Sequence, residues 1–294
     1  MKILLTGSKG MLGSECREVL GAEHEIIALD RKDLDITYWD KVVEKIQHIA
    51  PQVVFNCSAF TDVDGCEKES FMVKKVNVEG PRNLAQACAR FGCKMVHFST
   101  DYIFNGYKSI PQPYFEDDSM DPLSAYGRSK MDSEVAVRDN AFDYIIMRTA
   151  WLYGLNGRNF IRSILHRVLY KKMKILKVVN DQFGSPTWTH TVALQAGELI
   201  KAGVTGTYHV TSEGYCSRFD WAKHVFKKLG IRAAVEPCSS NQMVTPARRP
   251  HNCILENRLL KKQGLNIMPD WKIDVDAFLE KHGDELIRRA KSGD

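Results

Sequence analysis

The chain has 294 residues, of which 44% are hydrophobic and 26% charged, and this composition excludes a disordered or low-complexity protein. A chain of this length buries a large core and holds one large domain or two modest ones. The net charge is only +5 and the basic stretches are short, so we expect neither nucleic acid nor a membrane as partner. An anionic small molecule suits these basic groups better, because they attract phosphates.

The sequence carries no sign of secretion or membrane insertion. Its apolar runs fall short of the roughly 18–20 residues needed to span a bilayer, and the N-terminal MKILLTG lacks the apolar region of a signal peptide. The eight cysteines are scattered without a C-x-x-C pair, which is typical of reduced, buried thiols. We therefore expect a cytoplasmic protein with neither a metal site nor a disulfide framework.

The first 150 residues alternate strands with helices. Apolar runs predict strands at Lys2–Thr6, Glu25–Asp30, Val53–Ala59, Lys94–Thr100 and Tyr144–Ala150. Helices are predicted between them at Met11–Leu20, from Thr37 with Asp40 in a capping box, at Val73–Phe91 and at Ser124–Arg138. Because the strands are apolar along their whole length, both faces of the sheet must be covered. The expected fold class is therefore α/β, a Rossmann-type doubly wound parallel sheet.

The second half of the chain is less regular and predicts a smaller C-terminal substrate-binding lobe. Its readable elements lie at Asn159–Tyr170, Ile175–Val179, His190–Ala202, Gly206–Thr211, Arg218–Leu229, Glu256–Lys262 and Val275–Arg289. We predict a dinucleotide-binding domain over residues 1–150. Residues 151–294 mainly form the lobe, with some segments returning to the first domain. The long loop from Asn105 to Pro122 is expected to be functional, as loops of that length usually are.

A glycine-rich turn follows the first predicted strand and opens the first helix. Gly7, Gly10 and Gly13 are spaced G-x-x-G-x-x-G, and so tight a turn needs residues without a Cβ atom. Backbone N–H groups at the helix start, including those of Met11 and Leu12, can then face a pyrophosphate. In this position the spacing indicates a dinucleotide cofactor.

The end of the second strand carries two residues that favour different cofactors. The carboxylate of Asp30 suits the ribose hydroxyls of NAD, whereas the guanidinium of Arg31 suits the 2′-phosphate of NADP. The sequence therefore leaves NADH and NADPH both open. Ligands of such sheets bind beyond the carboxyl ends of the strands, so further cofactor contacts are predicted there. They are Asp35 and Ile36 near the adenine, and Ala59, Phe60 and Thr61 along the groove.

Tyr126 and Lys130 form a second constellation, in the helix after the fourth strand. Their i, i+4 spacing puts both side chains on one helix face, where the ammonium is expected to lower the pKa of the phenol toward neutrality. Such a tyrosine donates or accepts a proton at physiological pH. Thr100 ends the fourth strand, where its hydroxyl can polarise a substrate carbonyl and stabilise the charge that develops on the oxygen.

Further strings narrow the class of protein. STDYIFNG at 99–106, YGRSK at 126–130, NDQFGSPT at 180–187 and TPARRPHN at 245–252 resemble the dTDP-4-dehydrorhamnose reductase family of the extended short-chain dehydrogenase/reductase superfamily. The resemblance implies a Rossmann domain joined to a nucleotide-sugar lobe. It also implies reduction of the 4-keto group of dTDP-4-dehydro-6-deoxy-L-mannose to dTDP-L-rhamnose by NADPH or NADH.

The resemblance also implies roles for individual residues. Thr100 matches the active-site hydroxyl, Tyr126 the proton donor, and Lys130 the group that tunes the tyrosine and holds the nicotinamide ribose. Residues expected to contact the nucleotide sugar are Asp101, Tyr102, Trp151, Asn159 and Arg248, with Arg248 as the candidate for the pyrophosphate because a guanidinium binds phosphate oxygens bidentately.

Other functions are compatible with the same residues. The family includes a regulatory subunit of methionine adenosyltransferase that binds cofactor without catalysis, and an intact Thr100, Tyr126 and Lys130 do not exclude such a role. A nucleotide-sugar epimerase or dehydratase is a third hypothesis, because Asp101 stands beside the active-site hydroxyl, where dehydratases need an acid.

The oligomeric state is left open by the sequence. Some members of the family form a homodimer through magnesium bound by glutamates, and Glu15 fits one such position. His190 stands where a second glutamate is expected, so we expect no metal bridge even if the chain forms a homodimer.

Overall fold

The computed structural model describes residues 1–293, and a parallel sheet lies at its centre. The strands are β1 (Lys2–Thr6), β2 (Glu25–Leu29), β3 (Val53–Asn56), β4 (Lys94–Thr100), β5 (Tyr144–Thr149), β6 (Leu152–Tyr153), β7 (Ile175–Val179), β8 (Phe183–Gly184), β9 (Thr187–Trp188), β10 (Gly206–His209), β11 (Cys216–Ser217), β12 (Ala234–Cys238) and β13 (Asn252–Cys253). The main sheet has the order β2-β1-β3-β4-β5-β10, and every neighbouring pair is parallel. The predicted doubly wound α/β class is confirmed.

The helices cover the sheet and build the second half of the molecule. They are α1 (Met11–Leu20), α2 (Trp39–Ile49), α3 (Ser70–Lys74), α4 (Gly80–Phe91), α5 (Ala125–Asn140), α6 (Phe160–Leu165), α7 (Thr189–Lys201), α8 (Arg218–Lys228), α9 (Arg258–Lys262) and α10 (Trp271–Ser292). A π-helical segment, Lys75–Glu79, joins α3 to α4, and another, His166–Tyr170, extends α6. Within residues 1–293, no helix is long and apolar enough to cross a bilayer.

Side chains of the central strands alternate between two apolar cores, which explains why these strands are apolar throughout. On one face, Ile3 and Leu5 of β1 lie in a cluster with α1 and α7 residues such as Cys16 and Val192. On the other face, Leu4 lies in a cluster contributed largely by α2, α4 and α5. Both faces of the sheet are therefore buried under helices.

The second half of the chain has its own aromatic core but is not wholly separate from the sheet. Trp221, Tyr153 and Phe278 lie at the centre of that core, together with Trp188 and Trp271. In contrast, β10 pairs with β5 at the edge of the main sheet, and α7 packs on α1. The chain thus crosses between the two cores after residue 150 more than once.

One local expectation from the sequence is wrong. The capping box of Thr37 and Asp40 does not form, because the Thr37 hydroxyl donates to Oδ1 of Asp35 at 2.7 Å and α2 begins two residues later, at Trp39. The loop from Asn105 to Pro122 packs against neighbouring segments of the chain. The ring of its Tyr114 stacks on Phe104 with centroids 4.5 Å apart.

The buried face of α5 carries four polar side chains in addition to the apolar Ala136 and Val137. Ser129, Lys130, Ser133 and Glu134 are at most 6% exposed. Glu134 accepts two hydrogen bonds from the guanidinium of Arg148 on β5, at 2.9 and 2.8 Å, in a bidentate ion pair. Because both partners are buried, this pair fixes the position of α5 on the sheet more strictly than apolar contacts would.

Glu134→Ala is expected to lower the free energy of unfolding by about 3–5 kcal/mol, because it leaves the Arg148 guanidinium buried without its carboxylate. Urea unfolding measures this loss. The control is Arg138→Ala, which removes the part-exposed arginine that also bonds Glu134, at 3.3 Å, and is expected to cost at most about 1 kcal/mol. Equal losses in the two variants would contradict the role given to the buried pair.

Candidate active site

A cavity of about 1060 Å³ opens at the carboxyl ends of β1, β3 and β4. After β1 the chain adds β2 on one side of the sheet and then β3 on the other, which leaves a crevice between β1 and β3 at this edge. Ligands of doubly wound sheets bind at such a crevice. The second half of the chain supplies the opposite wall. Predicted site residues that line the cavity are Gly10, Met11, Leu12, Ala59, Thr61, Thr100, Asp101, Tyr102, Tyr126, Lys130, Trp151 and Asn159.

The glycine turn closes one end of this cavity in the way the spacing predicts. Gly7 has φ +67°, and a Cβ atom there would lie 2.7 Å from the carbonyl carbon of Cys57. A Cβ atom on Gly13 would overlap the carbonyl oxygen of Gly7. These two glycines shape the turn without lining the cavity, while Gly10 and Met11 line it.

The start of α1 fits the phosphates of a dinucleotide. Gly10 precedes the helix and provides no side-chain cap, so the first N–H groups of α1 have no side-chain acceptor. Met11 and Leu12, the first two residues of the helix, both line the cavity. Unsatisfied N–H groups and the positive end of the helix dipole together favour an anion at this point.

The carboxylate of Asp30, at the end of β2, is already engaged. It pairs with the amine of Lys9 and accepts the backbone N–H of Lys32 at 2.7 Å, and these hydrogen bonds lower its pKa to about 2. Neither Asp30 nor Arg31 lines the cavity. Arg31 is exposed and lies 3.4 Å from Asp35. Beyond the end of β2, Lys9 therefore pairs with Asp30 and Arg31 pairs with Asp35.

Three other predicted cofactor contacts lie outside the cavity lining. Asp35 bonds the backbone and hydroxyl of Thr37, and Ile36 is only 3% exposed because it packs in the core beneath Gly80. Phe60 is held by its backbone, whose N–H donates to Oδ1 of Asn77 at 2.7 Å. Asp35 and Ile36 are thus engaged in local contacts, and Phe60 is fixed by its backbone.

Thr100, Tyr126 and Lys130 meet in the cavity. The hydroxyl of Thr100 donates to Oδ1 of Asp101 at 2.9 Å. The Lys130 amine donates to the carbonyl oxygen of Phe98 at 2.7 Å, and the ring of Tyr126 lies edge-on to Tyr102 with centroids 5.9 Å apart. The structure thus brings the end of β4 and one face of α5 together at the cavity, as the sequence predicts.

The expected lowering of the Tyr126 pKa toward neutrality does not occur in this structure. Burial raises the pKa of Tyr126 above its ordinary value, and the negative charge of Asp101 raises it further. Burial lowers the pKa of Lys130 to about 8, and its amine is directed at the Phe98 carbonyl. Tyr126 therefore keeps its proton at neutral pH, which is the form needed to donate one.

Asp101 is a buried acid at the centre of the site. Its side chain is 3% exposed, and Oδ2 has no hydrogen-bond partner among the described residues. Burial raises its pKa to about 6, although the nearby Cys253 thiol and the hydrogen bond from Thr100 oppose this shift. A buried carboxylate with an unpaired oxygen is costly, so the group is poised to bind a proton or a donor from a ligand.

Trp151 forms part of the opposite wall, where it contacts Arg218, a residue that the sequence did not indicate. The guanidinium of Arg218 lies 3.6 Å from the centre of the Trp151 ring. The rings of Trp151 and Trp221 stack with their centroids 5.8 Å apart. Trp151 also has a positive φ of 46°. Asn159 lines the cavity while capping α6, because its Oδ1 accepts the N–H of Arg162 at 3.1 Å.

The prediction for Arg248 is not supported by the geometry, and its neighbour takes the position. Arg248 is exposed outside the cavity, where it meets the Tyr107 hydroxyl at 3.5 Å. Arg249 lines the cavity and forms a bidentate pair with Asp64, at 3.1 and 2.9 Å. Sequence alone could not separate two adjacent arginines in an irregular segment.

Other residues that support the site had no signal in the sequence. Asn77 lies in the π-helical segment and donates to Oγ of Ser129 at 2.9 Å, which in turn donates to the Tyr126 carbonyl at 2.8 Å. No residue of the long loop 105–122 lines the cavity. Five cationic residues that the sequence did not indicate as site residues also line the cavity: Arg158, Arg167, Lys177, Arg218 and Arg249.

The position expected to hold a metal ligand in some relatives has a different chemistry here. Nδ1 of His190 lies 3.3 Å from Oε2 of Glu15. The described residues contain no group of three or more histidine, cysteine, aspartate or glutamate side chains arranged to hold a metal ion.

The sheet order, the glycine turn and the Tyr126–Lys130 pair define a Rossmann-type protein of the extended short-chain dehydrogenase/reductase class. The profile of the family described as RmlD substrate binding domain matches residues 1–283, and the chain belongs to this family. The spore coat polysaccharide biosynthesis protein SpsK of Bacillus subtilis (strain 168) is 37% identical over 281 residues, which span 95% of this chain and 97% of SpsK.

Solved structures agree with this assignment. A dTDP-4-dehydrorhamnose reductase from Clostridium acetobutylicum superposes with a TM-score of 0.92 and 39% identity, covering 96% of this chain and all of that one. The dTDP-4-dehydrorhamnose reductase of Bacillus anthracis, solved in complex with NADP, gives a TM-score of 0.91 and 36% identity, covering 95% and 99%.

Asp101→Asn is expected to make the protein more stable at pH 8 by about 2–3 kcal/mol, because it removes a carboxylate that is costly to ionise when buried. The sign follows from a folded-state pKa of about 6 against 3.8 ordinarily. The cost is absent below about pH 4 and complete above about pH 6, so the difference should shrink at pH 5. Urea unfolding of both proteins at pH 5 and 8 measures it. A difference that does not change with pH would contradict this account.

Proposed function

We propose that this chain reduces the 4-keto group of dTDP-4-dehydro-6-deoxy-L-mannose to give dTDP-L-rhamnose, with NADPH as reductant. The observation that carries the proposal is one cavity containing Thr100, Tyr126 and Lys130 beside the open start of α1. Similarity to two dTDP-4-dehydrorhamnose reductases over nearly the whole chain supports it. The proposal divides the work between residues 1–150, for the cofactor, and the remainder, mainly for the nucleotide sugar.

The residues around the glycine turn fit a dinucleotide. In the proposal, Gly10, Met11 and Leu12 hold its phosphates through backbone N–H groups, and Lys130 holds the nicotinamide ribose. The bound cofactor supplies the hydride that is added to carbon 4 of the sugar. The remaining chemistry belongs to the protein, which must position the ketone and give one proton to its oxygen.

Tyr126 is the proposed proton donor. Because burial keeps its pKa above the ordinary value, the phenol is protonated at neutral pH. It can pass that proton to the oxygen on carbon 4 as negative charge develops there. Lys130, with a pKa of about 8, is mainly an ammonium at pH 7 and stabilises the phenolate that remains. The Thr100 hydroxyl is proposed to turn from Asp101 to the carbonyl oxygen.

NADPH is favoured over NADH by the charges at the end of β2. Asp30 is neutralised by Lys9 and by backbone N–H groups, so its carboxylate is not free to accept a bond from a ribose hydroxyl. The side chains of Lys9 and Arg31 are 76% and 73% exposed, so both are accessible to a 2′-phosphate. Cations near this position suit NADP rather than NAD.

The diphosphate of the nucleotide sugar is proposed to lie against the cationic wall. Arg158, Arg167 and Lys177 line the part of the cavity built by the second half of the chain, and no ion pair of theirs is found among residues 1–293. Arginines can bind phosphate oxygens bidentately.

The proposal also includes a cytoplasmic location, because the eight cysteines are free thiols, as is usual in a reducing compartment.

The assay follows NADPH absorbance after addition of the keto sugar, with product identification by NMR. Turnover that yields dTDP-L-rhamnose supports the proposal. Cofactor binding without turnover would favour the non-catalytic regulatory alternative, and conversion of the sugar without consumption of NADPH would favour an epimerase or dehydratase.

Tyr126→Phe is expected to lower kcat by roughly 100-fold or more, because it removes the general acid while leaving the ring in place. NADPH affinity, measured by fluorescence titration, should be unchanged. Tyr107→Phe is the matched control, since Tyr107 is exposed and lies outside the cavity. Near-normal turnover of Tyr126→Phe would remove this residue from the mechanism.

Arg158→Ala is expected to raise KM for the nucleotide sugar by about tenfold or more, since one guanidinium–phosphate contact contributes about 1.5–3 kcal/mol. Arg248 provides the control, because it lies outside the cavity and Arg248→Ala should change KM less than about twofold. Steady-state kinetics at saturating NADPH measure both. A larger effect at Arg248 would reverse the assignment.

A further inference from the structure

His97 is a buried titratable residue that the proposed mechanism does not use. It lies on β4, three residues before Thr100, and is 0% exposed. Fully buried histidines are uncommon unless both ring nitrogens are satisfied, so its partners indicate why the residue is there.

One side of the ring faces the floor of the cofactor groove. Nδ1 lies 3.1 Å from Nδ2 of Asn56, at the end of β3. Oδ1 of Asn56 accepts the hydroxyl of Thr6 at 3.0 Å and the backbone N–H of Ser58 at 3.1 Å, so this amide can only donate toward the histidine. Nδ1 is therefore an acceptor, and the proton of the neutral ring sits on Nε2.

The other side of the ring faces the helix that carries Tyr126 and Lys130. Nε2 lies 2.9 Å from Oγ of Ser133, and that hydroxyl donates in turn to the Lys130 carbonyl at 2.8 Å. Nε2 also lies 3.4 Å from the Lys130 amine. Burial and the charge of Lys130 both lower the pKa of His97, so the ring stays neutral.

We propose that His97 is the positioning residue for Lys130, linking the floor of the dinucleotide groove to the helix that presents the catalytic pair. Its ring fills the space beside the lysine side chain and fixes the backbone turn that follows it. The amine then has one well-placed acceptor, the Phe98 carbonyl, and otherwise faces the cavity. This inference rests on the proposed function for its kinetic consequences but not for the geometry itself.

The groups around Lys130 come from several elements. Burial lowers the pKa of Lys130 to about 8, and the charge of Glu134, one turn further along α5, opposes this shift. His97, Asn56 and Ser133 are neutral, so they act through packing and hydrogen bonds. Loosening the packing admits water, and the pKa of Lys130 should then rise toward its ordinary value of 10.5.

Two substitutions divide the contacts of the ring between them. In His97→Gln, the longer amide can reach the position of Nε2 and keep the bond to Ser133. In His97→Asn, the shorter amide can reach only the position of Nδ1, which keeps the bond to Asn56 and leaves space beside Lys130. Each variant leaves one buried partner unpaired, so both should lose similar stability.

The test measures kcat, its pH profile and thermal stability for the two variants and the wild-type protein. We expect His97→Asn to lose kcat about tenfold, a cost near 1.4 kcal/mol, and to shift the profile to higher pH, while His97→Gln stays within about twofold. KM for the sugar should change little. Equal kcat and pH profiles in the two variants, or losses that follow the folded fraction alone, would overturn the proposal.

A readout without turnover separates this inference from the proposed function. The pKa of Lys130 can be followed by NMR of lysines labelled at Cε, with Lys130→Arg identifying the signal. We expect it to rise in His97→Asn and not in His97→Gln. If neither histidine variant folds, Ser133→Ala removes the same hydrogen bond with a smaller change in volume and should move this pKa in the same direction. An unchanged Lys130 pKa in every folded variant would contradict the proposal even if the sugar is reduced.

Discussion

The position of α5 on the central sheet is the constraint on which the site depends. This helix carries both Tyr126 and Lys130, and the buried residues of its first half are mainly polar side chains, with Ala136 and Val137 packed further along. Apolar contacts tolerate sliding, because their energy depends on area and not on direction. Hydrogen bonds and a bidentate ion pair are directional, and they hold the helix in one register.

These polar contacts reach α5 from several directions. Asn77 bonds Ser129 from the π-helical segment, and Arg148 bonds Glu134 from β5. π-Helical turns often occur at functional sites, and here one places the Asn77 amide against the first turns of α5. The buried polar groups are satisfied by each other, so the arrangement is stable only as a complete set.

The site itself separates two kinds of charge. Burial, together with the charge of the buried acid Asp101, holds the pKa of Tyr126, the proposed proton donor, above its ordinary value. Cations line the wall formed by the second half of the chain, where Arg218 lies over Trp151. This arrangement keeps the phenol protonated where a ketone would be reduced and leaves positive charge where a diphosphate would bind.

Features that depend on local spacing could be predicted from the sequence. Gly7 and Gly13 are required by steric contacts within a short turn, and the i, i+4 spacing of Tyr126 and Lys130 puts them on one helix face. Features set by contacts between distant segments could not. The spacing gave no indication that Lys130 would donate to the Phe98 carbonyl.

The same limit explains the errors in the irregular segments. Which of two adjacent arginines faces the cavity depends on Asp64, which is 185 positions away from Arg249 in the chain. Thr37 has the residue type and spacing of a helix cap, but a competing acceptor, Asp35, takes its hydroxyl. Short strands such as β6 and β9 were missed because two residues carry no periodicity.

The most direct test of the central claim is transfer of deuterium from NADPH labelled at carbon 4 of the nicotinamide to dTDP-4-dehydro-6-deoxy-L-mannose. Two cofactors are compared, each with deuterium on one face of carbon 4 of the nicotinamide. The account predicts that only one of them gives a sugar product with one deuterium on carbon 4, as seen by NMR and mass spectrometry. Product without deuterium at that carbon, or label that stays on the cofactor while the sugar is converted, would contradict it.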